Sequence, residues 1–397
     1  MGFARTALRR RGPGRYLKSQ GATDLSLQTC CGACFVALFH RHDTTQKKNL
    51  HEMVTLKDIS KATGVSVTQV SRALGGHGDV NAATREKVVE AAARLGYRPN
   101  AIAKGLKTGQ TGFVAMVIPS DIDASGREIM FDMVVGISQA VSRHGLKFLL
   151  HVVDTAAQVP AAYDLLFQGG GIDGFILTDL HEPDPRVAYL QDRNMPFVVH
   201  GQYPERSHAF VDLDNFRVGE VLAGWLLDAG HRRILFLNGH DDRIYSSTRV
   251  AGVQHAFAVR GLNPGALDVA HGPMTRARGR DAALERLRRP DRPTAIVAGN
   301  MMLARGVWDA AAECGLRIPD DLSVTAHDDV LAQYPASGFD PIPSVTRSAL
   351  PTAWAALADT VSRTIAGGEP EREIELLVPE TVPGMSVAPP PSDESRG

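Results

Sequence analysis

Five residues, Val67, Thr68, Gln69, Ser71 and Arg72, have the chemistry and spacing needed to contact the edges of nucleic-acid bases. The planar guanidinium of Arg72 can donate two hydrogen bonds to a guanine edge. Thr68 and Gln69 can bind other base edges or phosphate, and the methyl groups of Val67 can contact a thymine methyl. If the segment is helical, these side chains lie together on the N-terminal half of one helix.

Capping residues divide the surrounding sequence into three short helices. Hydroxyl, carboxylate or amide side chains begin each helix by pairing with its free backbone amides, and a glycine ends the first and the third. Only a short turn separates the first two helices, which predicts a helix-turn-helix whose second helix enters a major groove. The capping residues, in chain order, are Thr55 with Asp58, Gly64, Ser66 with Gln69, Asn81 and Gly96.

A small three-helix module with a solvated polar face would show a similar pattern, so the charge distribution is a second indication. Residues 53–110 carry nine lysines and arginines against four acidic residues, and residues 1–52 carry nine against three. Since the whole chain has a net charge of −1, residues 111–397 carry −12. A basic head on an acidic body suits duplex binding, because phosphate contacts supply most of the affinity.

The strings VTLKDISKATGVSVTQVSRAL and NAATREKVVEAAARLGYRPNAIAKGLKTG resemble the DNA-binding head of the lactose-repressor (LacI/GalR) family of bacterial transcription regulators. The resemblance implies a helix-turn-helix domain over residues 53–98, followed by a hinge helix and linker over residues 99–111. It also implies that Val67, Thr68 and Arg72 contact bases in the major groove.

The same resemblance implies that the hinge helix binds the minor groove. Tyr97, Pro99 and Asn100 stand where the family's chain turns into the hinge, and Ala103 and Leu106 stand where the hinge meets the groove. An apolar wedge such as Leu106 can unstack a base step in exchange for a bent duplex that contacts more of the protein. The alternative is that Leu106 is an ordinary linker leucine.

Residues 112–380 alternate short apolar runs with amphipathic helical stretches, beginning with GFVAMVIP. Continuous apolar strands between helices predict a parallel sheet covered on both faces. The pattern restarts after AFVDL, and the length exceeds that of a usual single core. We therefore expect a fold of an all-α head plus an α/β effector domain of two doubly wound lobes, with ligand bound at the carboxyl ends of the strands.

The body also resembles the family's effector domain, which is similar to periplasmic sugar-binding proteins. The matching strings are LLDAGHRRILFLNG, RVAG, GLRIPDDLSV and HDD. Arg249 falls on the family's effector-binding arginine, whose planar fork suits paired hydroxyls or a carboxylate. Asn300, Asp328 and, near a family acidic position, His200 complete the implied effector site. Each of the four could instead be a polar cap at a strand end.

Two departures from the family pattern bear on the effector. The usual Asn-Asp pair is Asn300–Met301 here, and the usual Gly-Tyr is Ala326–His327. Met301 thus replaces an aspartate whose carboxylate hydrogen-bonds sugar hydroxyls in many family members. The apolar surface of Met301 would pack on pyranose C–H groups. We expect the protein to be a homodimeric repressor that binds operator DNA. Its effector should be a glycoside or a disaccharide. A non-sugar small molecule acting as corepressor is the alternative.

Two other protein classes could share this fold: a solute receptor for transport and an enzyme of nucleoside or sugar chemistry. The DNA-reading head and the lack of a secretory signal argue against the receptor. No glycine-rich nucleotide loop or catalytic motif opens either lobe, since the GGG at 169–171 lies before a strand. We therefore expect no catalytic residues and no cofactor.

The two ends of the chain lie outside this organisation. Residues 1–52 precede Met53, where family members usually begin, and indicate a disordered extension or a misassigned start. Cys31 and Cys34 form a single CxxC, which without a second pair predicts no zinc site. The run CFVALFH is too short to span a membrane, and Cys314 in the body fits a reduced cytoplasm. Residues 381–397 have the composition of a disordered tail.

Overall fold

The computed structural model describes residues 54–97, 110–121, 124–168, 170–181, 183–202, 208–369 and 374–391. The chain divides into two compact units, residues 1–98 and 99–397. The predicted N-terminal extension and the hinge residues Asn100, Ala103 and Leu106 lie outside the described residues.

The first unit, the head, contains the three predicted helices: α1 (Leu56–Thr63), α2 (Val67–Leu74) and α3 (Ala82–Leu95). Their caps form as the sequence predicts. The carboxylate of Asp58 accepts hydrogen bonds from the amide and the hydroxyl of Thr55, at 2.9 and 2.7 Å. At α2 and α3 the direction is reversed: the side-chain oxygens of Ser66 and Asn81 accept from the amides of Gln69 and Thr84, three positions on.

The head has one small core to which all three helices contribute. Gly64 and Gly96 end α1 and α3 with φ of 69° and 70°, a left-handed conformation that turns the chain back toward this core. The buried residues of the core are Ile59, Val70, Ala73, Val88, Ala91 and Ala92. Because Val70 and Ala73 take the inner face of α2, the residues between and before them must face outward.

In the second unit, the body, strands and helices alternate as the apolar pattern predicts. They are β1 (Phe113–Pro119), α4 (Ala124–Arg143), β2 (Lys147–Val153), α5 (Val159–Gln168), β3 (Gly174–Leu177), α6 (Pro185–Asp192), β4 (Phe197–His200), β5 (Ala209–Leu213), α7 (Asn215–Asp228), β6 (Ile234–Asn238), α8 (Ile244–Ala258), β7 (Asp268–His271), α9 (Arg276–Leu287), β8 (Ala295–Ala298), α10 (Met301–Glu313), β9 (Ser323–Asp328), β10 (Ser344–Arg347), α11 (Leu350–Ile365), β11 (Ile374–Leu377) and β12 (Glu380–Val382).

These elements form two lobes, each built on a six-stranded sheet. The N-lobe sheet has the order β2-β1-β3-β4-β5-β11 and is parallel throughout. The C-lobe sheet has the order β7-β6-β8-β9-β10-β12 and is parallel except for β12, which runs antiparallel to β10. The chain therefore passes between the lobes three times: after β5, after β10 and between β11 and β12.

Both faces of each sheet are buried, which explains the continuous apolar strands. In β1, for example, Ala115 and Val117 join the core on one face, and Val114 and Met116 join the core on the other. Helix α11 returns from the C-lobe to cover the second of these faces together with α4. The predicted fold class, two doubly wound lobes, is confirmed. No helix in the described ranges is long and apolar enough to cross a lipid bilayer.

The predicted disordered tail over residues 381–397 is wrong as far as residue 391. Residues 380–382 form β12, and the buried hydroxyl of Ser386 donates to the carbonyl of Val324 and accepts from the amide of Ser344. The carbonyl of Ala388 hydrogen-bonds the His231 ring at 2.8 Å. The segment thus adds β12 to the edge of the C-lobe sheet and then contacts the amino ends of β9 and β10 and His231. A proline-rich composition does not reveal these long-range contacts.

Candidate functional site

The exposed face of α2 carries the predicted base-reading side chains. Val67, Thr68, Gln69 and Arg72 are all exposed, and Val67 retains 40% of its accessible surface although it is apolar. Exposed polar side chains on the N-terminal half of the second helix of a helix-turn-helix are those that reach base edges. The head therefore places the predicted residues on one surface of one helix.

Arg72 has a local partner within the head. Its guanidinium pairs with the carboxylate of Asp79, and this hydrogen bond lowers the pKa of Asp79. Both side chains are about half exposed, so solvent weakens the attraction between them. Arg72 is thus held near the surface of α2 but can exchange Asp79 for a guanine edge or a phosphate.

Tyr97 is the one predicted hinge residue that the structure describes. It is partly buried and packs against the core of the head, and its amide donates to the carbonyl of Ala92 at 2.9 Å. Tyr97 therefore fixes the direction in which the chain leaves α3.

A cavity of about 810 Å³ lies between the two lobes of the body, at the carboxyl ends of both sheets. Pro119, His200 and Asp212 line it from the ends of N-lobe strands, and Asn300 and Asp329 line it from the residues after C-lobe strands. This is where a doubly wound topology binds its ligands.

Arg249, on α8, is a fixed cation of this cavity, which Arg186 and Arg243 also line. It is buried, and its Nε donates to Oδ1 of Asn215 at 2.7 Å while Nη1 donates to the carbonyl of Gly299 at 2.6 Å. Its third nitrogen, Nη2, has no hydrogen-bond partner among the described residues. Burial lowers the pKa of Arg249, but a guanidinium remains protonated in proteins. Two protein contacts thus orient a cation that keeps one nitrogen for a ligand.

Two carboxylates lie near Arg249 and differ in their protonation. Burial raises the pKa of Asp212 to about 6, although Asn215 and the amides of Gln202 and Leu213 donate to its oxygens. Burial would also raise the pKa of Asp329, but its contact with His327 and the charge of Arg249 hold it below its usual value. Asp329 is therefore ionised at neutral pH, whereas Asp212 changes its protonation close to neutral pH.

His200, at the end of β4, is an uncharged polar group in the same cavity. Burial lowers its pKa to about 4, although the charge of Asp329 opposes this shift. The ring is thus neutral at pH 7, with one nitrogen donor and one acceptor. It meets the indole of Trp354 edge to face, with ring centroids 5.4 Å apart.

The lobes also contact each other directly at the edge of the cavity. His181 of the N-lobe and Arg243 of the C-lobe form an antiparallel β-bridge, and Arg243 donates from Nε to Asp179 at 2.8 Å. Ile244, the next residue, packs into the N-lobe core. Asp179 adopts a φ of 55°, a strained conformation for a residue other than glycine. Any change in lobe spacing must alter these contacts.

The described residues contain no group of three or more His, Cys, Asp or Glu side chains that could hold a metal ion. The cavity is therefore lined by hydrogen-bonding and apolar groups rather than by a metal-ligand cluster.

Comparison with known proteins gives the same division of the chain. Residues 55–100 match the family described as "Bacterial regulatory proteins, lacI family", and residues 112–369 match "Periplasmic binding proteins and sugar binding domain of LacI family". The chain belongs to the LacI family. It is therefore a DNA-binding transcription regulator, and the resemblance found in the sequence is confirmed.

Individual LacI-family relatives align over most of the chain. The HTH-type transcriptional regulator AglR of Rhizobium meliloti (strain 1021) is 34% identical over 357 residues, which cover 87% of this chain and 99% of AglR. RafR of Escherichia coli is 32% identical and covers 84% of this chain and 98% of RafR. Among solved structures, the CelR–cellobiose complex is similar with a TM-score of 0.60 and 25% identity, over 84% of this chain and 99% of that one.

The structure brings three of the four predicted effector residues to the LacI-family cleft: His200, Arg249 and Asn300. Both polar atoms of the Asn300 side chain make hydrogen bonds within the protein. Its Oδ1 accepts from the amide of Leu303, which caps α10, and its Nδ2 donates to the carbonyl of Met274. The alternative interpretation, a polar cap at a strand end, therefore describes Asn300 correctly, and any role in ligand binding comes in addition.

Asp328, the fourth predicted residue, does not line the cavity. It lies directly opposite Arg347 in the β9–β10 pairing, and its buried carboxylate accepts from Nε of Arg347 at 3.0 Å. The next residue, Asp329, lines the cavity instead. Successive side chains of a strand point to opposite sides, so a shift of one residue exchanges the two roles.

The apolar surface predicted at Met301 is likewise supplied by the next residue, Met302. Met301 is 1% exposed and lies in the C-lobe core, whereas Met302 lines the cavity. Asp212, Asn215 and Trp354 also line the cavity and were not predicted from the sequence. The polar string DLDN after the apolar run AFV could have indicated the first two, but nothing local distinguishes Trp354 from an ordinary core residue.

Proposed function

We propose that this protein is a repressor of carbohydrate uptake or catabolism genes, has no enzymatic activity, and binds a sugar or glycoside effector in its cleft. The observation that carries this proposal is the oriented guanidinium of Arg249, with Nη2 unpaired by the described residues, beside the ionised carboxylate of Asp329. A fixed donor next to a fixed acceptor suits neighbouring hydroxyl groups, each of which both donates and accepts.

The relatives support a carbohydrate effector. The chain matches a family description that names a sugar-binding domain, and one similar solved structure is a complex of CelR with cellobiose. Apolar residues that share the cavity, such as Met130, Met133 and Met302, would pack on the C–H groups of a sugar ring. Mostly apolar walls with a few well-placed polar groups are typical of small-molecule sites.

For the head, we propose that Val67, Thr68, Gln69 and Arg72 read bases in the major groove of a pseudo-palindromic operator. Asn100, Ala103 and Leu106 would bind the minor groove between the half-sites, as the family resemblance implies. These contacts take place in the cytoplasm, where the operator lies.

A homodimer would present two heads to such an operator. Phe131 and Val135, on the outer side of α4, are 76% and 36% exposed. Exposed apolar side chains on one helix face are typical of a surface that a partner covers. We therefore propose that α4 contributes to the contact between two copies of the chain.

The signal would pass from the cleft to the head through the N-lobe. Where the linker enters this lobe, the carboxylate of Asp173 accepts from the amides of Thr111 and Gly112 at 2.7 and 2.6 Å, and from the Thr111 hydroxyl at 2.9 Å. Thr111 and Gly112 must therefore follow any movement of this edge of the N-lobe. An effector that binds one lobe arrangement more tightly than the other would thereby change operator affinity.

The test is an Arg249→Ala variant, with Arg260→Ala as its matched control. Arg260 follows the same helix, but its guanidinium pairs with Asp228 on the surface. Calorimetry against a sugar panel should show that Arg249→Ala loses effector binding while it still binds operator DNA. Arg260→Ala should retain both activities. An intact ligand response in Arg249→Ala would reject the site, and binding of purines or amino acids alone would reject the carbohydrate effector.

A further inference from the structure

The cavity has an aromatic part that belongs to the N-lobe. Trp354 projects from α11, is only 4% exposed and lines the cavity together with His200. Further apolar residues of the same N-lobe core also line the cavity: Ile118, Met130, Met133, Leu350 and Ala353. This wall differs in character from the charged group around Arg249, Asp329 and Asp212.

Gly136, on α4, determines where the indole of Trp354 lies. A Cβ atom at position 136 would lie 2.3 Å from Cδ1 and 2.8 Å from Nε1 of Trp354. Real Cβ atoms do not approach other atoms so closely, so any side chain at position 136 would displace the indole. Gly136 itself does not line the cavity, and it can therefore affect a ligand only through Trp354.

The aromatic part also has polar groups without protein partners. Neither the indole Nε1 of Trp354 nor a ring nitrogen of His200 hydrogen-bonds to any residue that the structure describes. Polar groups that line a cavity normally find a hydrogen-bond partner, so these nitrogens are available to a ligand or to water. The neutral imidazole offers one donor and one acceptor, and the indole offers one donor. This set matches hydroxyl groups at the edge of a ring that lies against an apolar wall.

The cavity is also larger than a single sugar ring requires. Its volume of about 810 Å³ is near the upper end of the range of about 300–1,000 Å³ that binds drug-sized ligands. A hexose is much smaller than such a ligand. If one ring binds at Arg249 and Asp329, space remains for a second.

We propose that Trp354 and His200, positioned by Gly136, form a second sugar-ring subsite that selects an effector of at least two rings. One ring binds the charged groups around Arg249, and the next lies against the Trp354 indole with hydroxyls toward His200. This subsite rests on the proposed carbohydrate effector, and it assigns the preference for a glycoside over its component monosaccharides to these side chains.

Calorimetry on the full-length protein tests the subsite. The probes are cellobiose, maltose, sucrose and melibiose, with glucose and galactose as single-ring references. For the two-ring probe that binds, Trp354→Ala and Gly136→Ala should each weaken affinity by about tenfold or more. The affinity for the single rings should change by less than about twofold. Trp354→Phe should retain most of the two-ring affinity, because it keeps an aromatic face.

His200→Ala provides a test that does not disturb the core, because His200 is only partly buried. It should weaken the two-ring probe and leave the melting temperature near that of the wild type. An equal loss of one-ring and two-ring binding across these variants would overturn the subsite, as would unchanged two-ring binding in His200→Ala and Gly136→Ala. If no sugar binds the wild-type protein, the proposed effector class fails and the subsite fails with it.

Discussion

The head and the cleft place their functional side chains in opposite ways. In the head, Val67, Thr68, Gln69 and Arg72 come from two turns of one helix and are exposed. In the cleft, the side chains come from strands and helices more than 100 residues apart along the chain, from His200 to Asp329 and Trp354. The head is therefore specified by local sequence, and the cleft is specified by the packing of two lobes.

The two regions also differ in how they hold a charged side chain. Arg72 makes one exposed ion pair, whereas Arg249 is buried and fixed by Asn215 and the Gly299 carbonyl. An exposed arginine gains its affinity from phosphate and base contacts that depend on salt concentration. A buried, oriented arginine gains affinity from preorganisation, since little side-chain freedom is lost when a ligand binds.

Loss of the Arg72 side chain should change DNA recognition by the head more than any other substitution considered below. Arg72→Ala should remove a bidentate guanine contact worth about 1–3 kcal/mol of discrimination in each half-site. A binding-site selection assay should show relaxed preference at one base pair per half-site, while calorimetry shows the wild-type effector affinity. Retention of full selectivity by the variant would refute this role for Arg72.

The second prediction separates two adjacent residues of the cleft. Asp329→Asn should weaken effector binding by about tenfold, because it removes the ionised acceptor beside Arg249. Asp328→Asn should leave effector affinity unchanged but lower stability by about 1–3 kcal/mol, because the ion pair with Arg347 is lost. Calorimetry and thermal unfolding of both variants distinguish the roles, and the reverse pattern would restore Asp328 as the ligand residue.

This pair of residues shows how far the sequence could be interpreted. The helices, caps and exposed face of the head follow from contacts within four residues, so Ser66, Asn81 and Gly96 identify the element ends directly. The lobes follow from apolar runs. Whether Asp328 or Asp329 faces the cavity depends on the pairing of β9 with β10, and the position of Trp354 depends on Gly136, more than 200 residues earlier. Which side chain faces the cavity is therefore determined by tertiary packing, and local sequence patterns do not predict tertiary packing.

The third prediction concerns the link between the regions. Asp173→Ala removes three hydrogen bonds that tie Thr111 and Gly112 to the N-lobe. We expect about a fivefold smaller effect of the effector on operator affinity, which is a typical size for a coupling between sites. Effector affinity in the absence of DNA should be nearly unchanged. A full effector response in the variant would show that the signal takes another route.

The fourth prediction is a pH dependence in the cleft. Since the pKa of His200 falls from 6.5 to about 4 on folding, the unfolded chain binds more protons between these values. The contribution of His200 to the free energy of unfolding is therefore complete above pH 6.5. It decreases as the pH falls toward 4, because protonation then favours the unfolded chain. Asp212, with a pKa raised to about 6, has the opposite effect between pH 6 and 3.8.

Because Asp212 is present in both proteins, a comparison of wild type with His200→Gln isolates the histidine. The unfolding temperature of the wild type should fall more steeply between pH 6.5 and 4 than that of the variant. Identical slopes would mean that the His200 ring is as accessible to protons in the folded protein as in the unfolded chain.

The smallest expected effect returns to the head. Asp79→Asn frees Arg72 and removes a negative charge near the DNA, so operator affinity should rise by roughly twofold with the same sequence preference. Fluorescence anisotropy at two salt concentrations measures this change. A fall in operator affinity would mean that Asp79 orients Arg72 for binding rather than competing with DNA.

In this mechanism, operator binding by the head and effector binding by the cleft are coupled through one chain. The most direct test measures this coupling in both directions with the full-length protein. Operator affinity is measured with and without saturating disaccharide, and disaccharide affinity is measured with and without operator. We expect each affinity to change by about 5–150-fold, and by the same factor in both directions, as linkage requires. Operator affinity that is unaffected by a disaccharide bound in the cleft would contradict this mechanism.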